Sequence, residues 1–399
     1  MMKHSIQFGI DQLLALAPVW KNKRIGFVTN NAAVTSSFIS SRKALIQAGF
    51  NLVRLFSPEH GLDTTGPDGH FMLSGSDTLT GLPVVSLYGE RLMPAEDDVK
   101  DLDVLLVDLP DIGSRFYTYL WTLTYTLEAA ARYHKKLIVL DRPNPISGEM
   151  LLAEGPMLDE AMAASFIGRW SIPVRHSCTL GELARYFNAV RNLGADLEVI
   201  NCEHWERQMF YTDWGTSFVP ASPAINGFEA ALLYPCLCFL EATNISEGRG
   251  TAVPFRVVGA PWMNATEMAT LFNEHAGDAV VAREIDFVPE SGRYLGRSCK
   301  GIMLHVMDIR RFRAVNTGLL IIKLIHDAYP QHFEWAPYKT HVNGKGENHL
   351  KLLLGQAHPE TLFELELATF LKKLDEYTAV PEWEEKMKPY CIASYDHVR

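Results

Sequence analysis

VRLFSPEHG, at residues 53–61, is an apolar run that stops at a proline and continues into a carboxylate, an imidazole and a glycine. The run has the length and composition of a buried strand, and the polar tail is typical of the loop that leaves its carboxyl end. Ligands of open α/β sheets bind at the carboxyl ends of the strands. The stretch therefore predicts a strand of an α/β sheet and the polar edge where a site is expected.

The same pattern recurs along the first part of the chain. Apolar runs followed by polar residues also occupy residues 24–29, 83–87, 103–107 and 136–140. Helical spacing separates some of these runs, at residues 38–48 and 114–133. Continuous apolar strands that alternate with helices are typical of a parallel sheet covered on both faces. We therefore predict an α/β fold with a doubly wound, mostly parallel sheet in the N-terminal part.

The length of 399 residues exceeds one ordinary core, so we expect two domains. Residues 1–225 are predicted to form the catalytic α/β domain, and residues 226–399 a smaller α+β domain that completes the cleft. The polar, glycine-punctuated segment 62–81 is too long for a plain connection, and such loops are usually functional, often as lids.

Charge and composition exclude several classes of function. Lys and Arg number 37 against 47 Asp and Glu, a net charge of −10, which argues against binding to nucleic acid or anionic membranes. The six scattered cysteines form no C-x-x-C pair and are expected to be reduced core thiols. No signal peptide is evident, and the longest apolar stretch, 230–240, is shorter than the ~20 residues of a spanning helix. These features predict a soluble, cytoplasmic protein of undetermined oligomeric state.

The sequence lacks the motifs that bind common cofactors. The first strand is followed by Asn30-Asn31-Ala32-Ala33 where a dinucleotide-binding fold has G-x-G-x-x-G. Neither H-E-x-x-H nor G-x-x-x-x-G-K-[ST] occurs. We expect neither a cofactor nor a metal.

Five successive strand ends carry polar or ionisable side chains, which in a doubly wound sheet are expected to converge on one crevice. They are Asn30, Glu59 with His60, Tyr88, Asp108 with Asp111 and Arg115, and Asp141 with Asn144.

Glu59 is the first candidate for a catalytic acid or base, because a proline fixes the backbone before it and a histidine follows. The alternative is a loop carboxylate that caps a backbone amide. His60 is expected to orient Glu59 or contact substrate. Asp111 and Arg115 either form a structural ion pair or hold substrate hydroxyls, and Tyr117 either packs in the core or stacks on a sugar.

A second set of candidates lies further along the chain. Glu154 and the pair Arg175-His176 are equally consistent with site and structural roles. In the loop 241–250, Asn244, Glu247 and Arg249 alternate with small residues that allow close approach of a ligand. An arginine in such a loop suits bidentate recognition of a carboxylate.

Taken together, these motifs resemble the exo-β-N-acetylmuramidase family, the NamZ-type group of glycoside hydrolase family 171, formerly a domain of unknown function. The resemblance is carried by SPEHG (57–61), TGLPVVSLYG (80–89), DLPDIGSRFYTY (108–119), LDRPNPISG (140–148), EGP (154–156), IPVRHSCTLGELA (172–184) and EATNISEGRGTAVPF (241–255).

The resemblance implies a Rossmann-like N-terminal domain, a smaller C-terminal domain and a cleft between them. It also implies release of N-acetylmuramic acid, a muramyl saccharide, from non-reducing ends of peptidoglycan fragments. Glu59 would be the catalytic residue, and Asp141, Asn144, Arg175, His176 and the 241–250 loop would line the cleft.

The chemistry of such a reaction leaves several routes open. Arg175 and Arg249 are candidates to bind the lactyl carboxylate of the sugar. The second carboxylate acts as a nucleophile or as a base, with different spacing from the acid. A third route uses the acetamido group of the substrate, oriented by Asp111 or Glu247. A non-catalytic binding protein for acidic sugars remains the alternative, and an esterase or amidase is disfavoured because no G-x-S-x-G is present.

Overall fold

A computed structural model describes residues 5–396, so the outermost residues of both predicted domains lie outside the described residues. Seven strands of the first half join in one sheet. They are β1 (Ile25–Thr29), β2 (Leu52–Ser57), β3 (Gly75–Ser76), β4 (Pro83–Ser86), β5 (Val104–Asp108), β6 (Lys136–Leu140) and β7 (Leu197–Ile200). Their order is β3-β4-β2-β1-β5-β6-β7, and every neighbouring pair is parallel except β3 with β4.

Twelve α-helices accompany the strands of the described chain. They are α1 (Gly9–Leu16), α2 (Ser41–Gln47), α3 (Glu96–Val99), α4 (Tyr119–Arg132), α5 (Glu160–Ala163), α6 (Leu180–Val190), α7 (Phe228–Leu237), α8 (Ala265–His275), α9 (Ala314–Ala328), α10 (His349–Leu354), α11 (Leu367–Thr378) and α12 (Trp383–Met387).

The central strands β1 and β5 are buried along their whole length because their side chains are apolar on both faces. Successive side chains of a strand point to opposite faces. Phe27 and Leu106 accordingly belong to a core cluster shared with α1 and α2, whereas Val28 and Val107 belong to a cluster shared with α4 and α6. Helices on both faces confirm the predicted α/β, doubly wound class.

The second sheet is smaller and antiparallel. It contains β8 (Val257–Ala260), β9 (Val280–Phe287) and β10 (Cys299–Val306) in the order β8-β10-β9. Helix α7 is apolar and buried except at Glu229, as expected of a central core helix, and it packs against α9. The two backbones touch at Gly318, where an added Cβ would lie 2.1 Å from the carbonyl oxygen of Cys236. The predicted smaller α+β part is thereby confirmed, while the division at residue 225 stays a prediction.

Several element boundaries differ from those predicted, each for a local reason. The helix predicted from residue 38 begins at Ser41, because Phe38 adopts a left-handed φ of 60°. The helix predicted from residue 114 begins at Tyr119, because Ser114 pairs with Arg175 in an isolated bridge. The capping box predicted at residues 179–182 is confirmed, since Thr179 and Glu182 exchange hydrogen bonds at the start of α6.

Residues 383–396, at the end of the described chain, contact the first half of the chain. The Tyr395 hydroxyl donates to Asp141 at 2.8 Å, and the Trp383 indole donates to the His176 carbonyl at 2.9 Å. Among residues 5–396, no helix combines the length and apolar character needed to cross a membrane. The predicted cytoplasmic location is not tested by this finding and stays a prediction.

Candidate active site

A cavity of about 590 Å³ lies between the carboxyl ends of β2 and β4 and residues of the second half of the chain. We call it the Glu59 cavity. Its polar lining includes Glu59, His60, Asp68, Tyr88, Tyr117, Thr118, Glu241, Arg249, Tyr338, Thr340 and His349.

Glu59 is held rigidly in the wall of this cavity. Its side chain is buried, its Oε1 accepts a hydrogen bond from the Gly69 amide at 2.8 Å, and its Oε2 accepts one from the Thr118 hydroxyl at 2.6 Å. Burial and the negative charge of Asp68 raise the pKa of Glu59 against the opposing effects of His60 and these two donors. A carboxyl group whose neutral form is favoured is suited to giving up a proton.

His60 follows Glu59 with a left-handed φ of 66°, which is uncommon for a residue other than glycine. Its Nδ1 lies 2.8 Å from the Gly66 carbonyl oxygen. Because a carbonyl only accepts, Nδ1 carries a proton. Strained backbone is often concentrated at functional sites, and the strain here fixes the direction of the imidazole.

Asp68 is a cavity residue that the sequence motifs did not single out. The Tyr338 hydroxyl donates to its Oδ2, and Arg249 Nη2 lies 3.3 Å from its Oδ1. Burial acts to raise the pKa of Asp68, but Arg249, His60 and Tyr338 together hold it below the ordinary value. The only sequence signal was the length of the polar loop 62–81, within which Asp68 lies.

Arg249 lines the cavity, but three carboxylates already surround its guanidinium. Nη1 lies 2.6 Å from Glu241 and 3.0 Å from Glu247, and Asp68 is the third partner. Glu241 also pairs with His349 at 3.0 Å. The predicted role of Arg249 in binding a substrate carboxylate stays a prediction. Among the side-chain nitrogens of Arg249, only Nε is buried and has no hydrogen-bond partner within residues 5–396.

Of three more predicted residues, Tyr88 and Tyr117 line this cavity and Asn30 does not. Tyr117 also packs on Tyr119 with ring centroids 4.7 Å apart. Asn30 is fully buried, and its Oδ1 accepts from the Ala32 amide at 3.1 Å. Its side chain therefore caps the turn after β1 and does not line the cavity.

Asp111 lies in a separate cavity of about 580 Å³ at the carboxyl ends of β1, β5 and β6. The prediction of a single crevice is therefore corrected: residues after β2 and β4 line the Glu59 cavity, residues after β1 and β6 line the Asp111 cavity, and the segment after β5 contributes to both. Asp111 accepts from the Gly113 amide and lies 3.2 Å from His176 Nε2. The lining of this Asp111 cavity is mostly apolar, including Phe8, Trp214 and Phe218.

Arg115 does not pair with Asp111, contrary to one of the two predicted roles. Its fully buried guanidinium donates to the carbonyl oxygens of Pro156, Ile172 and Leu353 at 2.7–2.8 Å. These contacts tie the first half of the chain to α10. Arg115 thus has an interior structural role and does not line the Glu59 cavity.

Glu154 and Arg175 form an ion pair in the interior, with 3.6 Å between Oε1 and Nη1 and no exposed side-chain surface. Glu154 also accepts from the amides of Ala314 and Val315 at the start of α9. A carboxylate at a helix N-terminus satisfies free amides and the helix dipole. Neither residue lines the Glu59 cavity, which corrects the expectation that Arg175 meets substrate there.

The remaining predicted residues hold loops together. Asp141 accepts from Thr179, Gly181 and Tyr395, and burial raises its pKa to about 6. Asn144 donates to the Cys178 carbonyl at 3.1 Å. Asn244 donates to the His332 carbonyl at 2.7 Å and accepts from the Glu334 amide. The residues Asp141, Asn144, Asn244, Glu247 and His176 do not line the Glu59 cavity.

Comparisons with known proteins cover nearly the whole chain. Residues 25–229 match the family model described as Exo-beta-N-acetylmuramidase NamZ, N-terminal, and residues 232–392 match its C-terminal counterpart. A relative, Peptidoglycan beta-N-acetylmuramidase NamZ of Bacillus subtilis (strain 168), is 42% identical over 335 residues, which are 84% of this chain and 80% of the relative.

Solved structures show the same architecture. A DUF1343 family protein of Bacteroides fragilis NCTC 9343 is 29% identical with a TM-score of 0.86, covering 97% of this chain and 99% of the other. A second DUF1343 family protein of that organism is 27% identical with a TM-score of 0.72, covering 98% and 99%. The arrangement of both sheets is thus shared with experimentally determined structures.

Proposed function

The chain belongs to the NamZ family of exo-β-N-acetylmuramidases, and we propose that it releases N-acetylmuramic acid from the non-reducing ends of peptidoglycan fragments. Family membership and the named activity of the Bacillus relative support the reaction class. The location of the catalytic groups inside a cavity supports action at a chain end, because an enzyme that cleaves within a polymer needs an open groove.

The observation that carries this proposal is the environment of Glu59. Hydrolysis of a glycosidic bond requires a carboxylic acid that protonates the leaving oxygen. Glu59 is buried, is gripped by Gly69 and Thr118, and has its pKa raised by burial. Each of its oxygens has a second lone-pair position beside the accepted hydrogen bond, so either can carry the acid proton. We assign the general-acid role to Glu59.

Glu59 also fulfils the alternative role of a carboxylate that caps a backbone amide, because the Gly69 amide donates to it. The two roles are compatible, because the cap fixes the rotamer that the acid needs. The proposal invokes no cofactor, because the reaction consumes only water.

The test compares Glu59→Gln with Glu290→Gln, which changes an exposed glutamate of the second half. With a muramyl disaccharide as substrate, Glu59→Gln is expected to lose about 10²–10⁴-fold in kcat/KM, the usual contribution of a general acid. The loss on a 4-nitrophenyl muramide is expected to be smaller, because 4-nitrophenolate leaves without full protonation. Glu290→Gln is expected to match the wild type on both substrates.

Two outcomes would contradict the proposal. Wild-type turnover of the disaccharide by folded Glu59→Gln would remove Glu59 from the reaction. A wild-type protein whose melting temperature rises with the disaccharide, yet which releases no sugar detectable by mass spectrometry, would favour the binding-protein alternative.

A further inference from the structure

We propose that Asp68 is the second catalytic carboxylate of the Glu59 cavity and acts as the nucleophile of a hydrolysis that retains the anomeric configuration. This inference rests on the proposed function and specifies its mechanism. It is carried by the separation of the two carboxylates, by the charged groups around Asp68 and by the backbone that joins them.

The separation favours a retaining reaction. One ligand atom each of Glu59, His60 and Asp68, an oxygen in the case of the carboxylates, lie within 4.8 Å of one another. Retaining glycosidases place their carboxyl groups about 5–5.5 Å apart, whereas inverting enzymes need about 6.5–9.5 Å to admit a water molecule. The 4.8 Å bound lies below the inverting range, which favours direct attack by a carboxylate over attack by a water held between carboxylate and sugar.

The surroundings of the two groups differ in the direction that the reaction requires. Asp68 receives a hydrogen bond from Tyr338 and faces the Arg249 guanidinium at 3.3 Å, so its anion is stabilised. The hydrogen bonds that the Glu59 oxygens accept from Thr118 and Gly69 come from neutral donors. Two neighbouring carboxyl groups in such unequal environments divide into one acid and one anion. The side chain of Asp68 is also 32% exposed, so an entering sugar can reach it.

The backbone sets the distance between the pair. Gly69, directly after Asp68, donates its amide to Glu59, and its carbonyl accepts from the His341 amide at 2.6 Å. Gly69 has a left-handed φ of 67°, and a Cβ there would lie 2.7 Å from Cγ2 of Thr340. The loop carrying Asp68 is thus clamped between Glu59 and the segment 338–341 of the second half.

The reaction balances with these two groups and water. An Asp68 oxygen attacks C1 of the muramyl residue while the bond from C1 to the leaving oxygen breaks and that oxygen takes the Glu59 proton. A water then attacks C1 of the glycosyl ester, returns a proton to Glu59 and displaces Asp68. Two inversions at C1 give a sugar with its original anomeric configuration.

The first experiment needs no variant. Proton NMR of the wild-type reaction with a β-linked muramyl substrate is expected to show the β-anomer first, before mutarotation. First appearance of the α-anomer would overturn the inference and leave the proposed function intact, whereas absence of any product would refute the proposed function itself.

The second experiment compares Asp68→Asn and Asp68→Gly with Asp63→Asn, a change at an exposed aspartate of the same loop. Both Asp68 variants are expected to lose more than about 10³-fold in kcat, as enzymes do without their nucleophile. Sodium azide is expected to rescue Asp68→Gly on the 4-nitrophenyl muramide and to yield the α-glycosyl azide. Asp63→Asn should match the wild type.

Three results would overturn the role of Asp68. They are activity of Asp68→Asn within tenfold of the wild type, nanomolar inhibition by a muramyl thiazoline without azide rescue, and loss of wild-type activity in EDTA that a divalent cation restores. The inhibition result would show that the acetamido group of the substrate is the nucleophile. The EDTA result would show that Glu59, His60 and Asp68 bind a cation. Circular dichroism and melting temperature separate each of these from failure to fold.

Discussion

Replacing Gly69 by alanine tests whether the backbone of the 62–81 loop holds Glu59 and Asp68 at their working distance. Gly69 has a φ of 67°, and an added Cβ would lie 2.7 Å from Cγ2 and 2.9 Å from Cβ of Thr340. Carbon atoms make favourable contact at about 3.5–4.0 Å. The loop and the 338–341 segment must therefore separate by about 1 Å, and the amide that grips Glu59 moves with them.

This displacement determines the expected loss of activity. A shift of about 1 Å in a catalytic group lowers activity by about 10²-fold, equivalent to about 2.7 kcal/mol of transition-state stabilisation. Gly81→Ala is the matched control, because Gly81 lies in the same loop with a φ of 73° and has open space around its Cβ position. Both variants carry the same left-handed strain of about 1–2 kcal/mol, but only Gly69→Ala also pushes the loop away.

The assay measures kcat and KM on a muramyl disaccharide, together with the melting temperature of each variant. We expect Gly69→Ala to lose about 10²-fold in kcat, and Gly81→Ala to stay within about threefold of the wild type. Equal kcat values for the two variants would refute the reasoning, because the clash with Thr340 would then have no effect on the carboxylates.

Two further predictions separate catalytic from structural contacts. Tyr338→Phe removes a hydrogen bond that lowers the pKa of Asp68, so the acidic limb of the kcat/KM profile is expected to move to higher pH; an unchanged acidic limb would show that another group controls it. Arg175→Met removes one of the two arginines that pair with buried Glu154, leaving Arg313 at 3.8 Å, and is expected to lower the free energy of unfolding in urea by at most about 3–5 kcal/mol, while KM of the folded enzyme stays unchanged. A raised KM with normal stability would restore Arg175 to substrate binding.

Much of the first sheet was predictable because its strands are short apolar runs with clear ends. The predicted bounds of β6, residues 136–140, match the structure, and β1, predicted at 24–29, and β4, predicted at 83–87, differ by one residue at one end. Such runs are buried on both faces, so composition alone marks them. Their polar carboxyl ends also pointed to Glu59, His60 and Tyr88, which the structure brings to one cavity.

The rest of the site depends on contacts between distant parts of the chain, which no local pattern reveals. Asp68 has its hydroxyl partner in Tyr338, 270 residues further on. In the sequence, Glu154 is a carboxylate in a loop. In the structure, it accepts hydrogen bonds from amides at the start of α9, 160 residues away. The division into two cavities depends on strand order and on residues of the second half of the chain, neither of which the sequence pattern reveals.

The most direct test of the central claim is a crystal structure of Asp68→Asn bound to an intact muramyl disaccharide. We expect the anomeric carbon of the muramyl residue to lie between residues 59 and 68, with the glycosidic oxygen within about 3.2 Å of a Glu59 carboxyl oxygen. A disaccharide bound instead in the Asp111 cavity, with the Glu59 cavity free of sugar, would contradict the assignment of Glu59 and Asp68 to the reaction.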